Sequence, residues 1–262
     1  MNKLQLKIQE LLASFPGRCG IVITNLTTGV KWEYCHQTSF AAASMIKLPI
    51  MVEVMRQAAA GTISLEERLP VTSDVQTGGA GILTELQPGL RLTIRELVTL
   101  MIILSDNTAT NLLISRIGME SVNTTMAALG LTSTTLRRRM MDFEAASHGL
   151  ENTTSAGDLA LLFSHIYAPQ IVPHEYGALM LDILKRQQVR DKLPFYLPEE
   201  VGIAHKTGTL PGVEHDGGIL FLPDGPYIVC VLTDGHAANY QGLQLVALIG
   251  KLIYEYLMHK ER

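Results

Sequence analysis

Strand-like runs lie near the two ends of this chain, and their placement limits the possible folds more than any other feature. Two early runs, at residues 19–25 and 30–35, flank the turn Thr27-Thr28-Gly29 and predict a hairpin. Three later runs are predicted to be strands as well, at residues 201–206, 218–222 and 227–233. Since an isolated strand leaves its backbone unpaired, we expect both ends of the chain to join one mixed or antiparallel sheet.

The middle of the chain carries helix signals instead. Thr93 and Glu96 form a capping box ahead of apolar residues at helical spacing. Ser155 and Asp158 open a further helix in the same way. Amphipathic helices are also predicted at the two chain ends, at residues 1–13 and 240–258.

These signals together predict an α+β protein built from two domains. Residues 1–44 and 196–262 are expected to form a sheet domain covered by the terminal helices, and residues 45–195 a helical domain. Concave boundaries of this kind bind small molecules. The active site is therefore expected in the cleft between the two domains.

Composition narrows the choice of partner. Hydrophobic residues make up 47% of the chain, enough for a well-buried core, and the formal net charge is -4. The longest run of like charge is the arginine cluster at residues 137–139, so the chain offers no basic surface for nucleic acid. We expect a monomer that acts on a small molecule or peptide, with no nucleic-acid partner and no cofactor.

The apolar runs are too short for a membrane protein. None reaches the roughly eighteen residues that a membrane-spanning helix needs. Charged residues interrupt residues 1–13, which therefore do not resemble a signal peptide. We expect a soluble protein that is cytoplasmic as written, or exported if a leader has been removed.

The three cysteines have no Cys-x-x-Cys spacing. We expect Cys19, Cys35 and Cys230 to be small hydrophobic residues of the core, because an odd number of unpatterned cysteines suggests neither a disulfide framework nor a thiolate metal site. Cys19 and Cys35 flank the predicted hairpin, so a bridge between them stays open.

Three short motifs carry the candidate chemistry. They are Ser44-Met45-Ile46-Lys47, then Ser105-Asp106-Asn107, then Lys206-Thr207-Gly208. Each has a simple structural explanation on its own, since Asp106 suits a helix N-cap and a lysine at a strand end is common. Their conjunction in this order is what is improbable by chance.

The first motif has the spacing that a nucleophile and its base require. Ser44 and Lys47 are three residues apart, so on a helix their side chains share a face. Pro49 lacks an N–H and is tolerated near a helix start, which places Ser44 at or just before the first turn. Backbone N–H groups are free there and the helix dipole favours negative charge.

This set of motifs resembles that of the class A β-lactamases and related penicillin-binding proteins, and the resemblance covers nearly the whole chain. It implies that Ser44 is the acylated nucleophile and that Lys47 is its base or part of a proton relay. Ser105 would pass a proton to the leaving nitrogen. Asn107 would hold Lys47 and the substrate amide, and Lys206 would supply positive charge to Ser105 and a substrate carboxylate.

The same resemblance assigns roles to the strand that carries the third motif. Thr207, Gly208 and Thr209 would line the strand edge where substrate lies. The oxyanion hole would consist of the backbone N–H groups of Ser44 and Thr209.

Two positions depart from the family pattern. The loop glutamate that primes the deacylating water is absent, since its place falls near Arg139 or Met141. Asp142 is the preferred substitute and Glu144 the alternative, although both could equally be solvated or pair with the arginine cluster. His215 stands where many members carry an arginine for the substrate carboxylate, so any such role would be weaker and pH-dependent.

His215 lies next to Asp216, with His205 on the same strand region, and this grouping could suggest a metal site. No metal is expected, because the chemistry of the three motifs is complete without one.

The sequence therefore predicts a serine acyl-transfer hydrolase that opens β-lactam rings, with ready acylation and slow deacylation. One alternative is a D-alanyl peptidase or an esterase of the same fold. Another is a penicillin-binding sensor module that is acylated once, and a glutaminase of this fold is less favoured.

Overall fold

A five-stranded antiparallel sheet carries the predicted strands of both chain ends. The computed structural model describes residues 2–258. The strand order in this sheet is β2-β1-β9-β8-β7, so β7 is an edge strand. Its strands are β1 (Arg18–Asn25), β2 (Lys31–Tyr34), β7 (Gly202–Leu210), β8 (Val213–Leu222) and β9 (Gly225–Asp234). The expected joining of the two chain ends in one sheet is confirmed.

Four short strands form two small ribbons outside this sheet. They are β3 (Phe40–Ala41) with β6 (Thr153–Thr154), and β4 (Arg68–Val71) with β5 (Leu90–Thr93). The first ribbon joins the segment before Ser44 to the segment before Ser155, and so fixes two walls of the cleft.

Nine helices surround the sheet within residues 2–258. They are α1 (Asn2–Ala13), α2 (Lys47–Ala59), α3 (Ile94–Ile103), α4 (Asn107–Ile117), α5 (Met119–Ala128), α6 (Phe143–Ser147), α7 (Ala156–Tyr167), α8 (His174–Lys185) and α9 (Asn239–Met258). The α+β class is confirmed.

The local helix signals act as predicted. Thr93 accepts a hydrogen bond from the backbone of Glu96, whose carboxylate accepts from the Thr93 backbone, completing the capping box of α3. The Ser155 hydroxyl likewise caps α7 by accepting from the Asp158 backbone. Both caps satisfy N–H groups that lack partners within the helix.

The strand β8 begins five residues earlier than predicted, because its first half carries Glu214, His215 and Asp216. These polar residues do not match an apolar strand pattern, yet all three are buried. Each has hydrogen-bond partners that offset the cost of burial.

Two hydrophobic clusters hold the layers together. One fills the space between the outer face of the sheet and α1 and α9, with Ile8, Ile21 and Ile249 fully buried. The other is continuous from the inner face of the sheet into the middle helices, and includes Met45 and Phe163. Because this cluster spans both parts, the division at residues 44/45 and 195/196 stays a prediction.

The expectation for the cysteines is correct at two positions. Cys19 and Cys230 are buried, whereas Cys35 is exposed, so its placement in the core was wrong. Cys35 follows the end of β2 with φ of 43° and turns out of the sheet. All three thiols are free in the structure.

Residues 2–258 contain neither a membrane-spanning helix nor a cluster of metal ligands. No described helix is both long and apolar enough to cross a bilayer. In the same range, no three His, Cys, Asp or Glu side chains cluster in a way that could hold a metal ion.

Candidate active site

Ser44 lies in a tight 3₁₀ turn, Ala43–Ile46, that leads directly into α2. Ala43 has φ of 46°, a left-handed conformation that non-glycine residues rarely adopt. The turn packs Met45 and Ile46 into the core and leaves Ser44 half-buried at the helix start. Pro49 lies in the first turn of α2, as predicted.

Lys47 is completely buried and contacts residues of the first and second motifs. Its Nζ lies 3.1 Å from Ser44 Oγ, 2.9 Å from Ser105 Oγ and 2.9 Å from Asn107 Oδ1. A fourth oxygen, the Ser105 carbonyl, lies 2.5 Å away. Burial and then the positive charge of Lys206 lower the pKa of Lys47 well below its usual range, with Asp106 opposing them. A neutral amine at this position can accept a proton from Ser44.

Ser105 occupies the turn between α3 and α4 with φ of 57°. This strained backbone turns its hydroxyl between two lysines, since Ser105 Oγ also lies 3.1 Å from Lys206 Nζ. Ser105 is therefore in contact with both the helical part and the sheet.

Asp106 and Asn107 hold the glycine-rich segment at residues 77–81, which borders the cleft. Asp106 caps α4 and also accepts hydrogen bonds from the backbone of Ile82 and Leu83. Gly81 must lack a side chain, because a Cβ there would lie 2.3 Å from Asp106 Oδ2. Asn107 Nδ2 donates to the Gly78 carbonyl while its Oδ1 accepts from Lys47. These bonds fix the segment at the edge of the cleft.

Lys206 on β7 is also completely buried. Its Nζ donates to Ser105 Oγ at 3.1 Å and to the Thr207 carbonyl at 2.8 Å. Burial lowers the pKa of Lys206 to about 7, with Lys192 adding to the effect and Asp216 opposing it.

The free edge of β7 lies against the Ser44 turn. Leu210 pairs with Val213 at the tight turn into β8, so by the alternation of antiparallel pairing Thr209 directs its N–H away from β8 toward the free edge. A Cβ on Gly208 would lie 3.3 Å from the Ser44 nitrogen, so glycine permits this close approach. The backbone N–H groups of Ser44 and Thr209 thus border the same space.

A cavity of about 180 Å³ opens at Ser44. Its lining comes from the Ser44 turn, the glycine-rich segment, the loop at residues 137–152 and the end of β7. The lining residues are Ala43, Ser44, Gly79, Ala80, Asn107, Arg138, Met140, Met141, Phe143, Glu151, Asn152, Thr209 and Leu210. A larger cavity, of about 760 Å³, lies between β2 and α7 and contains none of the motif residues.

The loop at residues 137–152 is closed by polar contacts at its base. Arg138 donates from Nε and Nη2 to the two carboxylate oxygens of Glu151, at 2.9 and 3.1 Å. Asn152 accepts from the backbone of Arg137 and Arg138 and donates to the Arg138 carbonyl. Glu151, rather than Asp142 or Glu144, is the ion-pair partner of the arginine cluster.

The structure does not bring Asp142 or Glu144 to the cavity. Asp142 caps the short helix α6 by accepting from the Ala145 backbone at 2.9 Å. Glu144 is exposed in the first turn of that helix. Their expected role at the deacylating water has no support from this placement.

Sequence reasoning missed Glu151, the one carboxylate among residues 2–258 that lines the cavity. Both its oxygens are bound by Arg138, and Oε1 also accepts from the Asn152 backbone at 2.8 Å. Its position in the sequence, beside Asn152 and ahead of the Thr153-Thr154 pair, is the feature that could have identified it. Met140 and Met141 fill the wall where a free carboxylate would be needed.

His215 does not reach the cavity either. Its side chain is fully buried, its Nε2 lies 2.8 Å from the Ala41 carbonyl and its Nδ1 accepts from the Thr233 backbone. Burial lowers the pKa of His215 to about 4, so the ring is neutral near pH 7. A buried neutral ring offers no charge to a substrate carboxylate, contrary to the expected role.

The fold and the convergence of a serine, two buried lysines and a second serine define a serine acyl-transfer enzyme. The chain belongs to the β-lactamase enzyme family, whose model matches residues 3–257. It is a hydrolase that acts on β-lactams.

Individual relatives match over nearly the full length. The β-lactamase VEB-1 of Pseudomonas aeruginosa is 22% identical over 99% of this chain and 92% of its own. The crystal structure of a β-lactamase from Sphaerobacter thermophilus is 31% identical, with a TM-score of 0.88 over 97% of this chain and 96% of that one. A leucine-to-glutamate mutant of PBP-A, in an acyl-enzyme complex with penicillin G, is 30% identical, with a TM-score of 0.90 over 98% and 97%.

Proposed function

We propose that Ser44 is acylated rapidly by β-lactams and that the resulting ester is hydrolysed slowly. The observation that carries this proposal is the contact of buried Lys47 with Ser44 Oγ at 3.1 Å, in a cavity where the lining carboxylate that the structure describes, Glu151, is already bound.

Acylation uses the groups that surround Ser105. Lys47 removes the Ser44 proton as Oγ attacks the carbonyl carbon of the ring. The ring C–N bond breaks, and Ser105 Oγ donates its proton to the leaving nitrogen. Ser105 regains a proton from Lys47, which lies 2.9 Å away.

The developing negative charge on the carbonyl oxygen needs donors already in place. The backbone N–H groups of Ser44 and Thr209 serve this purpose, because the 3₁₀ turn before α2 and the free edge of β7 present them to the same part of the cleft. Charged Lys206 adds positive potential beside Ser105.

Deacylation needs a base that orients a water toward the ester. Glu151 is held by Arg138 and the Asn152 backbone, which use the oxygens that would bind such a water. Asp142 and Glu144 lie outside the cavity lining, whereas Met140 and Met141 lie in it.

The test is the time course of penicillin ring opening by purified protein, with Ser44→Ala as control. We expect a burst equal to the enzyme concentration, then a slow phase, and mass spectrometry should find the adduct on Ser44. Absence of both adduct and hydrolysis would overturn the proposal.

A second arm separates β-lactam hydrolysis from peptidase activity. A chromogenic cephalosporin and a D-alanyl-D-alanine peptide are assayed side by side. Faster turnover of the peptide than of the cephalosporin would replace the proposed function with a D-alanyl peptidase.

A further inference from the structure

Lys206 lies fully buried without an ion-pair partner. Its Nζ donates to the Ser105 hydroxyl and to the Thr207 carbonyl, which are both neutral groups. Among residues 2–258, no carboxylate forms an ion pair with this amine. Because a buried charge is costly unless an opposite charge stabilises it, a charged Lys206 needs a negative group elsewhere in its surroundings.

Asp216 on β8 supplies such a group from behind β7. Side chains alternate between the two faces of a strand, and Lys206 points to the face that meets Ser105. Asp216 is the cross-strand neighbour of Thr207, and its Oδ2 accepts from the backbone of Leu193 at 3.0 Å. Leu193 belongs to the hydrophobic cluster on the outer face of the sheet. Asp216 therefore lies behind the strand, where it is fully buried and water does not screen its charge.

The contact of Asp216 with His205 leaves this negative charge uncancelled. His205 Nδ1 lies 2.9 Å from Asp216 Oδ1, and both side chains are fully buried. Among the described residues, His205 Nε2 has no hydrogen-bond partner. A protonated ring would leave a buried N–H without an acceptor, whereas a neutral ring can donate from Nδ1 to the carboxylate. Glu214, the other acidic residue of β8, pairs with Lys192 instead.

The electrostatics of Lys206 agree with this arrangement. Burial lowers the pKa of Lys206 to about 7, with Lys192 adding to the effect and Asp216 opposing it. The titratable groups around Lys206 and Asp216 are Lys47 on α2, Lys192 ahead of β7, His205 on β7, Glu214 on β8 and Cys230 on β9. Burial raises the pKa of the Cys230 thiol, which therefore stays neutral.

We propose that Asp216 is a positioning residue whose buried negative charge keeps Lys206 charged for acylation. This inference rests on the proposed function, in which charged Lys206 acts on Ser105. Asp216 contacts no reacting atom and acts through β7. Loss of its charge reduces the fraction of Lys206 that is charged, and so moves the alkaline decline of acylation to lower pH.

Asp216→Asn removes the charge, has nearly the same shape and can keep the contacts with Leu193 and His205. The rate constant for acylation of Ser44 by benzylpenicillin is measured between about pH 5.5 and 9. We expect the midpoint of the alkaline decline to fall by about one pH unit, which lowers the rate about tenfold at pH 8 and about twofold at pH 6. A loss by the same factor at every pH would indicate a structural role only and would overturn the inference.

Two further variants separate the charge from the packing, and thermal unfolding checks that each one folds. Asp182→Asn is the matched control, because its side chain lies on α8 and is 66% exposed, and it should keep the wild-type midpoint. His205→Asn places an amide N–H near the position of Nδ1 and retains the charge of Asp216. Its midpoint should not move to lower pH. A downward shift as large as that of Asp216→Asn would assign the effect to loosening of β7 and overturn the inference.

Lys206→Arg shows whether Asp216 acts through Lys206. A guanidinium stays charged throughout the assay, so adding Asp216→Asn to Lys206→Arg should leave the pH profile unchanged. A shift of about one pH unit in that background would mean that Asp216 acts through another group, contrary to the inference.

A measurement that needs no acylation distinguishes this inference from the proposed function. In protein labelled with ¹³C at lysine Cε, NMR follows the titration of Lys206, whose signal is identified by its loss in Lys206→Arg. Asp216→Asn should move this titration to lower pH. An unmoved titration, with adduct formation on wild-type Ser44, overturns the role of Asp216 alone. Absence of any adduct overturns the proposed function and the consequence for acylation, whatever the titration shows.

Discussion

Lys206 Nζ lies 3.1 Å from Ser105 Oγ, and this contact joins the edge strand β7 to the turn between α3 and α4. Lys47 contacts the same hydroxyl from the other side at 2.9 Å. For acylation, Lys47 must be neutral so that it can accept a proton, and Lys206 must be charged. Burial lowers the pKa of both, which makes acylation sensitive to pH near neutrality.

Acylation by benzylpenicillin is expected to decline as the pH rises above about 7, where Lys206 loses its proton. Lys206→Arg should move this decline to much higher pH, because a guanidinium stays charged. The measurement is the acylation rate constant between about pH 5.5 and 9. An identical decline of the acylation rate constant at high pH in both proteins would show that Lys206 does not cause it.

A carboxylate placed on the cavity wall should accelerate deacylation. Met140 lines the cavity and its backbone is held by Asn111, through bonds of 2.9 and 3.2 Å. Met140→Glu is expected to raise the slow-phase rate by about 100-fold, the contribution of a positioned general base. Met140→Gln has nearly the same shape without the base and should remain slow. Equal rates in the two variants would exclude this wall as the place for the water.

Adding one carbon at Gly208 should impair the oxyanion hole. A Cβ there would lie 3.2 Å from Ala43 Cβ and 3.3 Å from the Ser44 nitrogen, so the Ser44 turn must shift. Gly208→Ala is expected to slow acylation by about 100-fold, as loss of one oxyanion donor does elsewhere. Stopped-flow acylation measures this effect. An unchanged rate in a folded variant would remove the N–H of Ser44 from the oxyanion hole.

The buried ring of His215 should make the fold sensitive to acid. Its pKa is lowered to about 4, whereas an unfolded histidine binds a proton near 6.5. The unfolded state therefore binds more protons between these values, and stability falls as the pH is lowered through this window. The loss attributable to His215 is about 3 kcal/mol.

Urea unfolding of the wild type and His215→Gln between pH 7 and 4 tests this expectation. The variant should lose about 3 kcal/mol less across the range. Parallel pH dependence in the two proteins would show that another group causes the acid sensitivity.

Patterns along the chain were sufficient to predict the local elements and the reacting centre. Caps such as Thr93 and Ser155 act on N–H groups within the next turn, and the spacing of Ser44 and Lys47 depends on one helical turn. Such features need only neighbours along the chain, so pattern reasoning predicted them. The strand and helix patterns predicted the α+β fold, and the conjunction of the three motifs predicted the family.

Tertiary structure decided how charged and polar groups are paired. Arg138 pairs with Glu151, Lys192 with Glu214, and His215 with the backbone of Ala41. The last of these joins residues 174 positions apart. Whether a carboxylate is free to orient water or bound to a cation depends on which side chains the fold brings within about 3 Å. No spacing along the chain determines that, and so Asp142 and His215 were natural expectations from the sequence that the folded chain places elsewhere.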